Sequence, residues 1–118
     1  MSKHDPALTL RQIIEFADEI AELLAGRTRE DLDANAEFHR ALERCVELIG
    51  EAATRLPTEF REKHCAVPWR QIIGMRNAMI HGYDTVDADV LWDAASRDVP
   101  DLREKIVAIL AALEDSTG

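Results

Sequence analysis

The sequence predicts an all-α domain, an antiparallel helical bundle of about five helices, and three observations carry that prediction. Ala, Leu, Ile, Glu and Arg dominate while aromatic residues make up 5%, Gly 5 and Pro 4, so helix formers greatly outnumber strand formers. Apolar residues recur at i, i+3, i+4 and i+7 along several stretches, the period of a helix with one buried face. The 118 residues, 47% hydrophobic and 31% charged, suit one globular domain that buries roughly two thirds of its unfolded-chain surface and needs no staple.

The first helix is expected from about Thr9 to Ala25, with Leu10, Ile13, Ile14, Ala17, Ala21 and Leu24 inward and Gly26 as its stop. Thr28-Arg29-Glu30-Asp31 resembles a capping-box start, with Asp33 a second candidate cap. A long amphipathic second helix follows, burying Ala41, Leu42, Cys45, Leu48, Ile49, Ala52 and Leu56 and ended by Pro57. The apolar rhythm breaks from Thr58 to Pro68, which reads as a connector with one short turn around Phe60. A third helix starts near Trp69, buries Trp69, Ile72, Ile73 and Ile80, and closes at about His81 before Gly82. A short fourth helix is capped by Asp87 and carries Val90, Leu91, Ala94 and Ala95. Val99-Pro100-Asp101 opens the last helix, with Leu102, Ile106, Ile109, Leu110 and Leu113 inward and a frayed tail from Asp115. No repeat, low-complexity tract or linker divides residues 1–118.

No stretch approaches the roughly 18 unbroken apolar residues of a membrane span, and the first residues lack the apolar core of a secretion signal, so the cytoplasm is the expected compartment. Cys45 and Cys65, twenty positions apart, fit reduced thiols. With 14 Lys+Arg against 23 Asp+Glu the net charge is -9, which argues against coating nucleic acid through overall charge but leaves room for a local basic site.

Four histidines invite individual scrutiny. His4 lies in a terminal segment, and His39 reads as a half-exposed helix histidine. His39, Cys45, His64 and Cys65 lack the spacing of a zinc finger or ribbon, and no histidine stands three residues after a glutamate, as the common bundle di-iron site requires. His81 keeps different company, because Arg76, Asn77, His81 and Tyr83 gather polar groups at one helix end. Asn77 and His81, four apart, share a helical face, whereas Arg76 is rotated from His81 by about 140°. Arg76 and His81 therefore converge if the helix ends there or if a second subunit completes the site across a two-fold axis. From Arg55 to Arg76 five basic residues (Arg55, Arg61, Lys63, Arg70, Arg76) face two acids (Glu59, Glu62), a basic strip that would draw an anion. A proton-moving histidine beside an arginine fork suits phosphoryl chemistry, and without an acidic cluster the metal-free form is expected. RNA supplies its own nucleophile, the 2′-hydroxyl, so that an enzyme needs only a proton shuttle and an anion stabiliser. Taken alone, Arg-x-x-x-x-His is a weak motif that also fits a histidine at the negative end of a helix dipole.

The segments Leu48-Ile49-Gly50-Glu51-Ala52-Ala53, Val67-Pro68-Trp69-Arg70-Gln71-Ile72-Ile73-Gly74-Met75-Arg76-Asn77, Ile80-His81-Gly82-Tyr83 and Asp89-Val90-Leu91-Trp92 resemble the HepT toxins of the HEPN superfamily in order and spacing over essentially the entire chain. The resemblance implies a dimeric HEPN ribonuclease, the toxin of a toxin–antitoxin module, with its cleft at the homodimer interface and no cofactor. It implies Arg76 and His81 as the catalytic pair, Asn77 as a supporting polar residue, and metal-independent cleavage of RNA (tRNA or mRNA) to a 2′,3′-cyclic phosphate. The family's antitoxin, the minimal nucleotidyltransferase MntA, transfers AMP from ATP to the motif tyrosine, here Tyr83. Nucleotides on Tyr83 would put bulk and negative charge into the cleft. Gly50 reads as a close helix crossing, Glu51 as a candidate partner for Arg76 or Arg70, and Trp69 and Trp92 as bundle anchors. The competing function is a noncatalytic dimeric module that docks the nucleotidyltransferase, and a metal-binding bundle is a remote third.

Overall fold

Asp5 begins the first helix, its carboxylate accepting the Ala7 N–H at 3.0 Å while Pro6 fills a first-turn position that needs no N–H donor. This computed structural model describes residues 5–81 and 87–117, with Ile80, His81, Ser116 and Thr117 by their backbone alone. Helix α1 (Pro6–Leu24) thus starts one turn before the expected Thr9, and Gly26 ends it at φ +73°, a backbone conformation that disfavours side chains.

The expected second helix is two helices. The Asp31 carboxylate does accept the Thr28 N–H at 2.7 Å, but this half of a capping box starts only a single turn, α2 (Asp31–Ala34). Asn35 then turns extended (φ -131°), and its side chain accepts the Phe38 N–H at 3.1 Å to begin α3 (Ala36–Thr54). The second cap belongs to Asn35 and not to Asp33 because Asn35 directly precedes the long apolar repeat. A short α4 (Thr58–Lys63) occupies the expected turn around Phe60, and α5 (Trp69–His81) has the expected bounds. Gly82 lies outside the described residues.

Asp87 caps α6 (Ala88–Asp93), accepting the Asp89 N–H at 2.8 Å. The expected break before Val99 does not occur. A π-helical turn, Ala94–Asp98, joins α6 directly to α7 (Val99–Thr117), and helical backbone continues to Thr117. The proline explains the turn: in an α-helix the Pro100 ring would press on the Ser96 carbonyl, and a widened turn with one extra residue relieves that clash.

The core forms where α1 packs on α3 and α7, and α5 also packs against α3. Leu10, Ile13, Ile20, Leu42, Val46, Ile49, Leu91 and Ile106 are fully buried in it, and Trp69 is buried with Trp92 packed at its edge. Three expectations change: Val90 is 54% exposed, Ala21 is exposed, and His39 is buried. At the chain's other crossing, Arg29 bridges Asp33 on α2 and Asp89 on α6, tying the α1–α3 connection to the start of the final helical run.

Two mid-helix glycines separate cleanly. A Cβ on Gly50 of α3 would lie 2.1 Å from the Arg76 Cβ and 3.0 Å from the Ile72 carbonyl oxygen, so the close α3–α5 crossing requires glycine. A Cβ on Gly74 would meet nothing within 4 Å. Gly50→Ala should therefore destabilise the fold by about 1–3 kcal/mol through overpacking, whereas Gly74→Ala should stabilise it by roughly 0.5–1 kcal/mol through helix propensity. Asn35→Ala should cost about 1 kcal/mol through loss of the α3 cap. Urea unfolding followed by circular dichroism measures all three.

Candidate active site

Because Gly50 has no side chain, the stem of Arg76 lies directly on the α3 backbone, which fixes where the guanidinium emerges from α5. Arg76 Nη1 donates to the neighbouring Asn77 Oδ1 at 3.0 Å, and Arg76 Nε is buried without a hydrogen-bond partner. Among the described residues no carboxylate pairs with Arg76, so Glu51 does not play the partner role considered for it. A buried, unmet donor on a full positive charge costs about 1–3 kcal/mol, and such an atom calls for an explanation in terms of a ligand or function. The arginine is held by its stem, oriented by Asn77, and left with donors to spare.

Asn77 also belongs to a second feature. It stands at one end of an open cleft of about 720 Å³, between α4 and α5, bordered by Arg61, Glu62, Cys65, Arg70 and Ile73. Arg70, Ile73, Gly74 and Asn77 lie along one stripe of α5, and the backbone of His81 is four residues further on the same stripe. Arg61 Nε, like Arg76 Nε, is buried without a partner, and Arg61 and Arg70 have no carboxylate partner among the described residues. Two residues of the basic strip noticed in the sequence, Arg61 and Arg70, border this cleft, and they are the residues that motif reasoning had left out of the site. The local charge count was the signal that pointed to them.

The structure brings Arg76 and Asn77 into direct contact and puts the His81 backbone at the end of their helix. Tyr83 lies outside the described residues, as does His4. Of the other described histidines, His39 is buried in α3, and the His64 ring lies tilted by 45° against Phe60 with centroids 4.5 Å apart while its carbonyl accepts the Trp69 indole N–H at 3.0 Å. Among the described residues no three His, Cys, Asp or Glu side chains gather as a metal site would require. Cys45 and Cys65 are free thiols, Cys45 buried and Cys65 exposed at the cleft. Burial, and then the Glu19 carboxylate 3.5 Å from Sγ, push the Cys45 thiol up to about 11. Among the described residues no helix is long and apolar enough to cross a membrane.

Fold and site together define an all-helical HEPN-type bundle with an arginine, an asparagine and a histidine on the last two turns of one helix. Residues 13–109 match the family described as "Ribonuclease HepT-like", and the chain belongs to that family. It is 37% identical over 105 residues to "Putative RNase TTE0752" of Caldanaerobacter subterraneus subsp. tengcongensis, covering 89% of this chain and 94% of that protein. "Probable ribonuclease HepT" of Thermococcus cleftensis is 35% identical over 99 residues, covering 80% of this chain and 90% of that protein. A Methanocaldococcus jannaschii protein, "Gamma-glutamylcyclotransferase and putative RNase MJ0434", is 34% identical over 112 residues, 95% of this chain but 50% of its own length. No solved structure matches significantly.

The two thiols give a direct check on the packing around the cleft. The thiolate is the reactive form, and the raised Cys45 value keeps that thiol protonated and inert until about pH 11, whereas exposed Cys65 is open to reagent. Iodoacetamide at neutral pH should therefore label Cys65 alone, as read by peptide mass. Because the unfolded thiol, with its ordinary value of 9.0, releases its proton before the folded one, Cys45 should also make stability fall as pH rises from about 9 to about 11, a trend that Cys45→Ala should flatten.

Proposed function

We propose that this protein is a metal-independent endoribonuclease toxin that works as a homodimer in the cytoplasm. The observation that carries this reading is Arg76, a guanidinium held by its stem and by Asn77 yet lacking a partner for Nε and any carboxylate among the described residues. A phosphate oxygen would satisfy those donors in the geometry that arginine provides best. The family of the chain and the names of its relatives support RNA as the substrate.

In the proposed reaction the 2′-oxygen of the substrate attacks the adjacent phosphorus. The new bond forms as the bond from phosphorus to the 5′-oxygen breaks, the 2′-hydroxyl gives up its proton, and the leaving 5′-oxygen receives one. His81 is the proton shuttle, since imidazole titrates near neutral pH. Arg76 stabilises charge on the non-bridging oxygens, and Asn77 keeps its guanidinium in place. The products are a 2′,3′-cyclic phosphate and a 5′-hydroxyl, with no water or metal consumed. Because positions 76 and 81 are about 140° apart around one helix by register, a second protomer related by a two-fold axis completes the cleft. An antitoxin of the minimal nucleotidyltransferase class silences the enzyme by transferring AMP from ATP to the Tyr83 hydroxyl, releasing pyrophosphate and putting negative charge beside His81. The second reading, a noncatalytic dimer that docks such a nucleotidyltransferase, predicts no cleavage.

Protein whose Tyr83 is unmodified by intact mass should cut RNA in EDTA and leave cyclic phosphate ends. His81→Ala should slow cleavage by about 100-fold or more and Arg76→Ala by roughly 100- to 1,000-fold, with the oligomeric state unchanged by sedimentation. A folded, unmodified wild type that leaves tRNA and mRNA intact would favour the docking module. With the nucleotidyltransferase and ATP, mass increments of AMP should appear on the wild type and be absent from Tyr83→Phe.

A further inference from the structure

The cleft between α4 and α5 has no role in the chemistry just described, although Asn77 joins it to Arg76. Its two arginines lack the carboxylate partners that four arginines elsewhere on the molecule have. Arg11, Arg29, Arg44 and Arg103 each pair with a carboxylate, and Arg55 donates to Gln12, whereas Arg61 and Arg70 have no carboxylate partner among the described residues. Arg61 reaches only the Thr58 hydroxyl, at 3.5 Å, and keeps a buried Nε with no partner. In a chain of net charge -9, carboxylates are plentiful, so two arginines that lack them on facing elements of one cleft form an anion-facing surface. Glu62 is the single acid among the residues that line the cleft.

We propose that this cleft is the track for the RNA strand on one side of the scissile phosphate, with Arg61 and Arg70 holding a flanking phosphate and the apolar lining around Ile73 taking a base. The inference rests on the ribonuclease reading and adds the path of the substrate to it. Distance supports the assignment: Arg70 and Asn77 are seven residues apart on α5, about 10 Å along the helix axis, a step of a nucleotide or two for a single strand. The cleft volume of about 720 Å³ is within the range of pockets that enclose a drug-sized ligand, and it is open, so that a strand can run through it. Trp69, Val67 and Ile73 give the cleft an apolar lining with no side-chain amide to read a base edge among them, so base contact here is tolerant of sequence. Gly74, whose missing side chain leaves open space, keeps the α5 backbone accessible to the strand midway between Arg70 and Asn77.

The test measures binding of a fluorescent single-stranded RNA oligonucleotide to the dimer carrying His81→Ala, which does not cut it, across a range of salt concentrations. Arg61→Ala and Arg70→Ala should each weaken binding roughly fivefold or more and reduce the slope of log affinity against log salt by about 0.7. Arg61→Lys and Arg70→Lys should restore the slope. In the active protein the two alanine variants should raise KM far more than they lower kcat, because a flanking phosphate is held equally in ground and transition states. Affinity and slope unchanged in the double variant, with a parent that binds and cuts RNA, would overturn the track while leaving the ribonuclease intact. A parent that binds no RNA would overturn both. Loss of RNA binding accompanied by dissociation to monomers would show the cleft to be a subunit contact and overturn the assignment as well.

Discussion

The absence of one side chain organises the site. At Gly50 the backbones of α3 and α5 approach until the stem of Arg76 rests where a Cβ would stand. That contact does two things at once. It lets α5 pack closely on α3, and it restricts the stem of the arginine before any ligand arrives. Ordering the guanidinium during folding removes that entropy from the binding step, the general advantage of a preorganised electrostatic group. A methyl group at position 50 disturbs both functions together, so stability and activity are linked at this crossing and uncoupled at Gly74.

Much of this was legible in the sequence, for reasons that differ among elements. The bounds of α5 follow from Pro68, which disfavours helix just before it, and from a regular apolar spacing, both local signals. The all-α class, the Asp87 cap and the stop at Gly26 are local in the same sense. The split of α2 from α3 was not legible, because Asp31, Asp33 and Asn35 are all good caps and only the packing of the following helix selects among them. Nor was the continuity through Pro100, since proline at a helix start and proline after a π-turn look alike in one dimension. In the candidate site, Arg76 and Asn77 were found by motif, whereas the cleft of Arg61 and Arg70 depends on how α4 folds against α5 and appeared only as a charge count.

Charge explains how an acidic protein can suit an anionic substrate. At physiological ionic strength a field decays over about 8 Å, so the net charge of -9 does not decide what happens inside a cleft bordered by two arginines and a single glutamate. The paired arginines elsewhere, Arg11 with Glu114 and Arg103 with Asp18, are neutralised locally and add little attraction. An anion that enters such a cleft meets local positive charge, and a brief, salt-sensitive encounter is what this charge distribution favours.

The π-turn before Pro100 sets the rotational phase of everything after it. One residue of α-helix turns the chain by about 100°, and the extra residue in Ala94–Asp98 therefore determines which side of α7 faces α1. Leu102 and Ile106 point into the core only with that offset in place. Losing a residue here would leave the helix formally intact while swinging its apolar stripe towards water, so the spacing between Trp92 and Leu102 carries information that no side chain in between carries alone. Deletion should consequently displace the whole apolar stripe beyond this stretch, whereas substitution acts one position at a time, through Pro100 or through the buried Ala94, Ala95 and Val99.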